Sequence, residues 1–398
     1  MIRWCGAPHG AAAMRRSILL ACVTAASLTT GCRFVDDLLG HHQTGLTRKW
    51  FAPVPIPGDL SLFSGMPAVA GGLVIVAVPG GLVAVDAETG QQRWRTSVSN
   101  LNWSSAASIS VRDTTACLVD PSGVGCVGLS TGQLLWKELN DSATGGGTSA
   151  ADATTLYYGR RHTVVARSLA DGHVIWSSDI APNAPFHAGP VGLSLRGDTV
   201  YVTAIRWLDP DRHGLVGDLV ALDAHDGHIL WTYTAQPPPG HPRAELWAPA
   251  VLAGSLAIIG ELDGAWLIGV DVRTGAEVWR TPSDTTGYVR TQTPPTVVSD
   301  TVYSGSTDTQ FYAIDAHTGR ILWRIPLSFS LWSASLCGRE AVVVPSGGGN
   351  LYTVDRATHT ATKQFITESG DDAGSQVAVS GGIGYVMSMR GVYAFDCH

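Results

Sequence analysis

One motif returns at near-regular intervals along the chain, and that recurrence limits the fold more than any other feature. Val83-Ala84-Val85-Asp86-Ala87-Glu88-Thr89-Gly90, followed by Trp94, returns as Val220-Ala221-Leu222-Asp223-Ala224-His225-Asp226-Gly227 with Trp231. It returns again as Gly269-Val270-Asp271-Val272-Arg273-Thr274-Gly275 with Trp279, and as Tyr312-Ala313-Ile314-Asp315-Ala316-His317-Thr318-Gly319 with Trp323. Weaker copies end at Thr131-Gly132 with Trp136 and at Asp171-Gly172 with Trp176, so the tryptophans step by 42, 40, 55, 48 and 44 residues. A period of this size means one supersecondary unit per repeat, as in a propeller or a solenoid.

Each part of the motif has a physical task. The alternating run into Asp is a half-buried strand. The Asp carboxylate accepts backbone N–H groups two residues on, and Gly takes the left-handed position closing a type I turn plus bulge. Trp then opens the apolar face of the next strand, and an indole removes about 150 to 250 Å² from water, enough to join neighbouring sheets. Asp86, Asp223, Asp271, Asp315 and Asp355, with Trp50, Trp94, Trp136, Trp176, Trp231, Trp279 and Trp323, are therefore assigned to structure and not to chemistry.

Two copies depart from the pattern. The seventh, Tyr352-Thr353-Val354-Asp355, has His359 in place of the turn glycine and Lys363 in the Trp slot. The eighth is split: Val392-Tyr393-Ala394-Phe395-Asp396 ends without a turn or a Trp, and the missing half stands at the other terminus as Thr44-Gly45-Leu46-Thr47-Arg48-Lys49-Trp50. An all-β ring of eight four-stranded antiparallel blades follows, with the N-terminal strand completing the last blade so that no edge stays open at the seam. Seven blades are the alternative.

The chain has 398 residues, 45% apolar and 15% charged, with a formal charge of −7. Without the first 31 residues, which hold three Arg and no acid, 23 basic groups face 33 acidic ones. Such a surface has no general attraction to phosphate backbones, so no nucleic-acid partner is expected. From Met14, the expected true start, Arg15-Arg16 and the apolar run Ser17 to Leu28 lead to Thr29-Thr30-Gly31-Cys32, which reads as a secretion signal over residues 1–31. Its end resembles a bacterial lipobox, with Leu28 four rather than three residues before the Cys; that resemblance implies lipid on Cys32, a tether over 32–43, a single domain over 44–398 and an extracytoplasmic, membrane-anchored protein. Ordinary cleavage and secretion is the alternative.

Four cysteines remain, an even number for an oxidising compartment. Cys117 and Cys126 flank the turn Asp120-Pro121-Ser122-Gly123, where a two-residue loop sets them directly opposite in a non-hydrogen-bonded pair and a disulfide fits. Cys337 and Cys397 are then the second pair; four buried thiols are the alternative.

The Ala-x-Asp-x-x-Thr-Gly-x-x-x-Trp pattern resembles the PQQ-like, quinoprotein-type β-propeller repeat over roughly residues 44 to 397. Within that group the lipobox-like start, the length and the blade number are most similar to BamB-like bacterial lipoproteins. The resemblance implies a non-catalytic scaffold for protein–protein interaction in outer-membrane protein assembly, as a monomeric propeller with a protein partner and a lipid anchor. The enzymes of the superfamily are PQQ-dependent dehydrogenases with a vicinal Cys pair, a calcium site and a Trp floor. No adjacent Cys pair occurs here, so neither PQQ nor calcium is expected. A small-ligand or glycan sensor is the third reading.

The longest irregular segments fall on one face, that of the blade-to-blade crossings. They are Trp207 to Gly214, including His213; Pro237 to Arg243, including His241; and Ala181 to His187, including Phe186. Rigid loops clustered on one rim are the candidate partner surface, with neutral insertion the alternative. Phe63, Trp103, Phe186, Trp247, Tyr288 and Trp332 precede the innermost strands and form a candidate collar, with Arg290 and His187 adding polarity; packing between blades is the alternative. Asp209, Asp211, His213 and Asp218 match no calcium loop, and no metal site is assigned.

Overall fold

The computed structural model describes residues 45–54, 66–98, 107–139, 148–180, 189–207, 214–237, 243–261, 267–281, 294–306, 308–327, 334–338, 341–346, 350–364, 366–368, 371, 373 and 375–397, with side chains omitted for 341–346 and 350. Among them there is no helix, and none therefore long and apolar enough to cross a membrane. Alternation of apolar and polar residues over short runs broken by Gly- and Asp-containing turns leaves only antiparallel sheet as the way to satisfy the backbone.

The strands form eight antiparallel sheets. Blade 1 runs Ala68–Ala70, Leu73–Val78, Gly81–Asp86 and Gln92–Ser97, and the same four-strand meander repeats in each blade that follows. Short first strands of successive blades adjoin one another all the way round, and those of blades 1 and 8 adjoin as well, which closes a ring with the first strands innermost. Second and third strands are buried almost throughout, as in Leu73–Val78 and Gly81–Asp86, while fourth strands form the exposed rim. Blade 8 contains Ala378–Ser380, Ile383–Met387 and Gly391–Asp396, and Arg48–Pro53 from the other end of the chain is its fourth strand. The expected joining of the two termini is therefore present.

The recurring turn explains the recurring letters. The Asp86 Oδ1 accepts the backbone N–H groups of Glu88 and Thr89 and the Thr89 hydroxyl, and the same set recurs around Asp271 and Asp315. Gly90 donates its N–H to the Asp86 carbonyl at 2.9 Å with φ +73°, a conformation that a side chain disfavours. A Cβ on this glycine would also collide with Trp50 of the preceding blade, and Gly132, Gly172, Gly227, Gly275 and Gly319 each face the preceding blade's indole in the same way.

Each indole N–H crosses the same interface. Trp50, Trp94, Trp136, Trp176, Trp231 and Trp279 donate to the carbonyls of Ala87, Leu129, Leu169, Ala224, Val272 and Ala316 at 2.8 to 3.1 Å. Within its own blade each Trp lies opposite a small residue or Cys126, beside a one-residue register shift, as with Trp94 opposite Ala84 and Trp279 opposite Gly269. The motif Ala is thus the floor beneath the indole, a role its spacing alone did not reveal.

Three expectations need correction. Blade 7 lacks the register shift, so Thr362 lies opposite Thr353 and Lys363 lies opposite Tyr352; the Trp slot is taken by Thr362, not Lys363. Trp207 ends a nine-residue strand, Thr199–Trp207, instead of opening a loop. Arg243 belongs to a short strand, Arg243–Ala244, that pairs parallel with Leu215–Val216 and gives blade 4 a fifth strand. Both cysteine pairs form bridges, Cys117 with Cys126, which are cross-strand partners, and Cys337 with Cys397.

Candidate functional site

Blade 4 departs most from its siblings, and does so on the crossing face. Its second and third strands, Thr199–Trp207 and Leu215–Asp223, have nine residues each where the equivalent strands of blade 1 have six. Three extra residues per strand carry the hairpin about 10 Å further out. Pairing continues to Trp207 opposite Leu215, so the projection is built sheet.

A polar lock holds its base. Asp218 is buried, and its two carboxylate oxygens accept from Arg206 Nε and Thr234 Oγ1, each at 2.6 Å. Satisfying both oxygens offsets the cost of burying the charge. These bonds tie the second, third and fourth strands together at the point where the hairpin leaves the blade. Asp218, considered above as a cation ligand, is thus engaged by Arg206 and Thr234.

The crossing to blade 5 folds back over this hairpin. Leu246 packs where a Cβ on Gly217 would stand, so Gly217 is required by close approach. Glu245 is buried, accepts the Trp247 indole N–H at 2.6 Å and lies 3.5 Å from Arg243 Nη1. Further along, the Ala248 and Ala250 carbonyls accept from Thr203 Oγ1 and Ser194 Oγ at 3.0 and 2.5 Å. The crossing is therefore fixed to its blade by several bonds.

Two large side chains remain at its surface. Trp247 is 36% exposed, the only Trp among the exposed large hydrophobics of the described residues, although Glu245 holds its ring in place. Arg243 stands beside it with half its side chain in solvent. A rigid aromatic anchor next to an arginine is the composition of residues that dominate protein–protein binding energy. Sequence reasoning singled out Trp207 and Trp247. It missed Arg206, Glu245 and Thr234, whose roles depend on pairing register and carry no local pattern. Phe63, Trp103, Phe186, His187, His213, His241, Tyr288, Arg290 and Trp332 lie outside the described residues, as does Cys32.

The opposite face carries the Asp turns. Arg93, first, and the Thr89 hydroxyl and backbone hold the Asp86 carboxyl down at about 2, and Asp271 and Asp315 are lowered foremost by Thr274 and Thr318. These shifts follow from turn hydrogen bonds. Asp223, Asp226 and His228 cluster in one exposed turn, where His228 is raised by its bond to Asp226.

Eight meandering sheets, an indole staple at each repeat and the Asp-to-Gly turn define a PQQ-like β-propeller. The match to known families is equally broad: residues 42–120, 120–286 and 263–396 fit the family described as outer membrane protein assembly factor BamB, and the chain belongs to it. The outer membrane protein assembly factor BamB of Yersinia pestis is 27% identical over 331 residues, 78% of this chain and 71% of that protein. Its counterpart in Burkholderia pseudomallei is 25% identical over 289 residues, 69% and 68% of the two chains. Among solved structures, BamB from Moraxella catarrhalis superposes with a TM-score of 0.67 at 16% identity, covering 89% of this chain and all of the other. The quinohemoprotein alcohol dehydrogenase of Comamonas testosteroni gives 0.69 at 13% identity, covering 90% and 77%. At such identities both structures bear on fold alone.

Proposed function

We propose that the protein is a non-catalytic, extracytoplasmic scaffold that binds protein partners in membrane-protein assembly, similar to the BamB assembly factor, and that the blade 4 projection is its docking surface. The observation that carries this reading is the pairing of a family match over nearly the whole propeller with one rigid, exposed Trp–Arg site on the crossing face. Lipid on Cys32 would hold the propeller at the membrane through the 32–43 tether, leaving the rim free to meet partners. A single propeller suffices, and neither quinone nor calcium is required.

The test is in-cell photo-crosslinking from positions 243 and 247, with position 88 on the opposite face as control. Specific crosslinks to an envelope protein from 243 and 247, absent from 88, are expected. Equal crosslinking from both faces, or a purified protein carrying stoichiometric quinone, would overturn the proposal.

A further inference from the structure

Every blade interface but one has an indole from the preceding blade's rim strand. Six of these indoles donate to a backbone carbonyl, and at the interface of blades 6 and 7 the Trp323 ring stacks on His359 with centroids 4.5 Å apart. The exception is the interface between blades 7 and 8. Blade 7's rim strand, Thr360–Gln364, has no Trp and no register shift, and only Gln364 in it is buried. At this interface, instead, a covalent bond joins Cys337, the last residue of blade 7's first strand, to Cys397, which follows blade 8's third strand.

Cys397 occupies a telling position. It directly follows Asp396, just as Ala87, Leu129, Leu169, Ala224, Val272 and Ala316 follow the motif position that opens each turn. Those are the residues whose carbonyls receive an indole N–H. The hydrogen bond from Cys397 N–H to the Gly382 carbonyl at 2.8 Å matches that from Ala87 to Gly72, which confirms the equivalence. The bridge thus lands where the absent indole would reach. What otherwise holds this interface is an apolar cluster including Ile366, Tyr393 and Phe395, with the Leu46 N–H bonded to Gln364 Oε1 and the Ser335 hydroxyl to the Val377 carbonyl.

The two bridges also differ in access. Cys117 and Cys126 are buried on both sides, whereas Cys337 is buried and Cys397 is partly exposed at the end of the chain. Of the four bridged cysteines, Cys397 is the one with part of its surface in solvent, and disulfide exchange depends on such access.

We propose that Cys337–Cys397 is a redox-sensitive latch on the ring: a covalent substitute for the eighth indole staple, opened by a dithiol. The first thiolate of the dithiol attacks Cys397 Sγ and displaces the Cys337 thiolate. The second closes onto the mixed disulfide, releasing Cys397 and leaving the dithiol oxidised, so that two electrons and two protons pass to the protein's cysteines. Blade 8 then keeps its Trp50 staple to blade 1 but has only noncovalent contacts to blade 7, and the ring loosens at that one seam. Blade 8 contains both ends of the domain, so the release falls on Arg48–Pro53 and Gly391–Asp396.

The experiment is a dithiothreitol titration of the folded protein with alkylation trapping and amide-exchange mass spectrometry. Cys337 and Cys397 are expected to become alkylated before Cys117 and Cys126, with exchange over 46–54 and 378–397 at least about tenfold faster and blades 1 to 6 unchanged. Cys337→Ser/Cys397→Ser is expected to reproduce that exchange without reductant, and Cys117→Ser/Cys126→Ser to leave the seam protected. Should the double variant fail to fold, the titration of the intact chain decides alone. Simultaneous reduction of both bridges, unchanged seam exchange after selective reduction, or loss of protection in all blades together would each overturn the latch.

Discussion

Truncating Trp279 to Ala removes one complete staple. The indole is 7% exposed and donates to the Ala316 carbonyl at 3.0 Å. Glycine lies against it on two sides, Gly269 in its own blade and Gly319 in the next turn. Returning about 200 Å² of apolar surface to water at about 25 cal/mol per Å² gives about 5 kcal/mol, the upper end of the usual cost of Trp→Ala in a core. The flanking glycines have no side chain to move into the cavity, so little of that loss is recovered. Trp279→Phe keeps most of the area but strips the Ala316 carbonyl of its donor, for about 1 to 2 kcal/mol. Leu322→Ala, at a rim position 41% exposed, is the control and is expected to fall within about 0.5 kcal/mol. Urea unfolding followed by far-ultraviolet circular dichroism measures all three. A cost below about 1 kcal/mol for Trp279→Ala, or one matched by Leu322→Ala, would refute the staple.

Other expectations follow from the same contacts. Breaking the lock with Asp218→Ala leaves the Arg206 guanidinium, itself partly exposed, without its carboxylate, and is expected to cost about 2 to 3 kcal/mol, less than a fully buried pair would; urea midpoints measure it. Trp247→Ala is expected to cost about 1 to 3 kcal/mol, because the buried Glu245 loses its indole donor, while Trp247→Phe and Trp247→Ala both weaken partner capture at least about tenfold in co-purification with the ring fold intact by circular dichroism. The Asp86, Asp271 and Asp315 carboxyls are depressed in the fold. Their contribution is present above the unfolded carboxylate range near about 4 and is lost as pH falls through the folded values, about 2 for Asp86. Acid titration should therefore show the midpoint steady above about pH 5 and falling below about pH 4, and Asp271→Asn should flatten that fall.

The ring and its staples were legible because their signals are local and repeated. Asp, Gly and Trp recur at fixed offsets, and the half-motifs at Trp50 and Asp396 complete each other across the chain. The Cys117–Cys126 bridge could be read from ten residues of hairpin. Pairing register was not legible: Trp94 and Lys363 both stand eight residues after their Asp, yet a bulge lies between them and the turn in one blade and not in the other. The blade 4 projection was hidden for a related reason. The 55-residue step from Trp176 to Trp231 reads as a long loop, whereas much of the excess is spent on longer strands whose partners, Leu215 to Asp218, lie across the turn. Arg206 and Glu245 carry no pattern of their own, since their roles arise only where distant strands meet Asp218 and Trp247.

Amide exchange resolved to single residues over Val392–Asp396 bears most directly on closure of the ring. Alternate amides of a strand point to opposite neighbours, so a strand with a partner on each side is protected at every position and an edge strand at every other one. Gly391–Asp396 between Ile383–Met387 and Arg48–Pro53 should be slow throughout, including Asp396, whose N–H meets the Thr47 carbonyl at 2.9 Å. Fast exchange at alternate residues would mean that the N-terminal strand does not close the eighth blade.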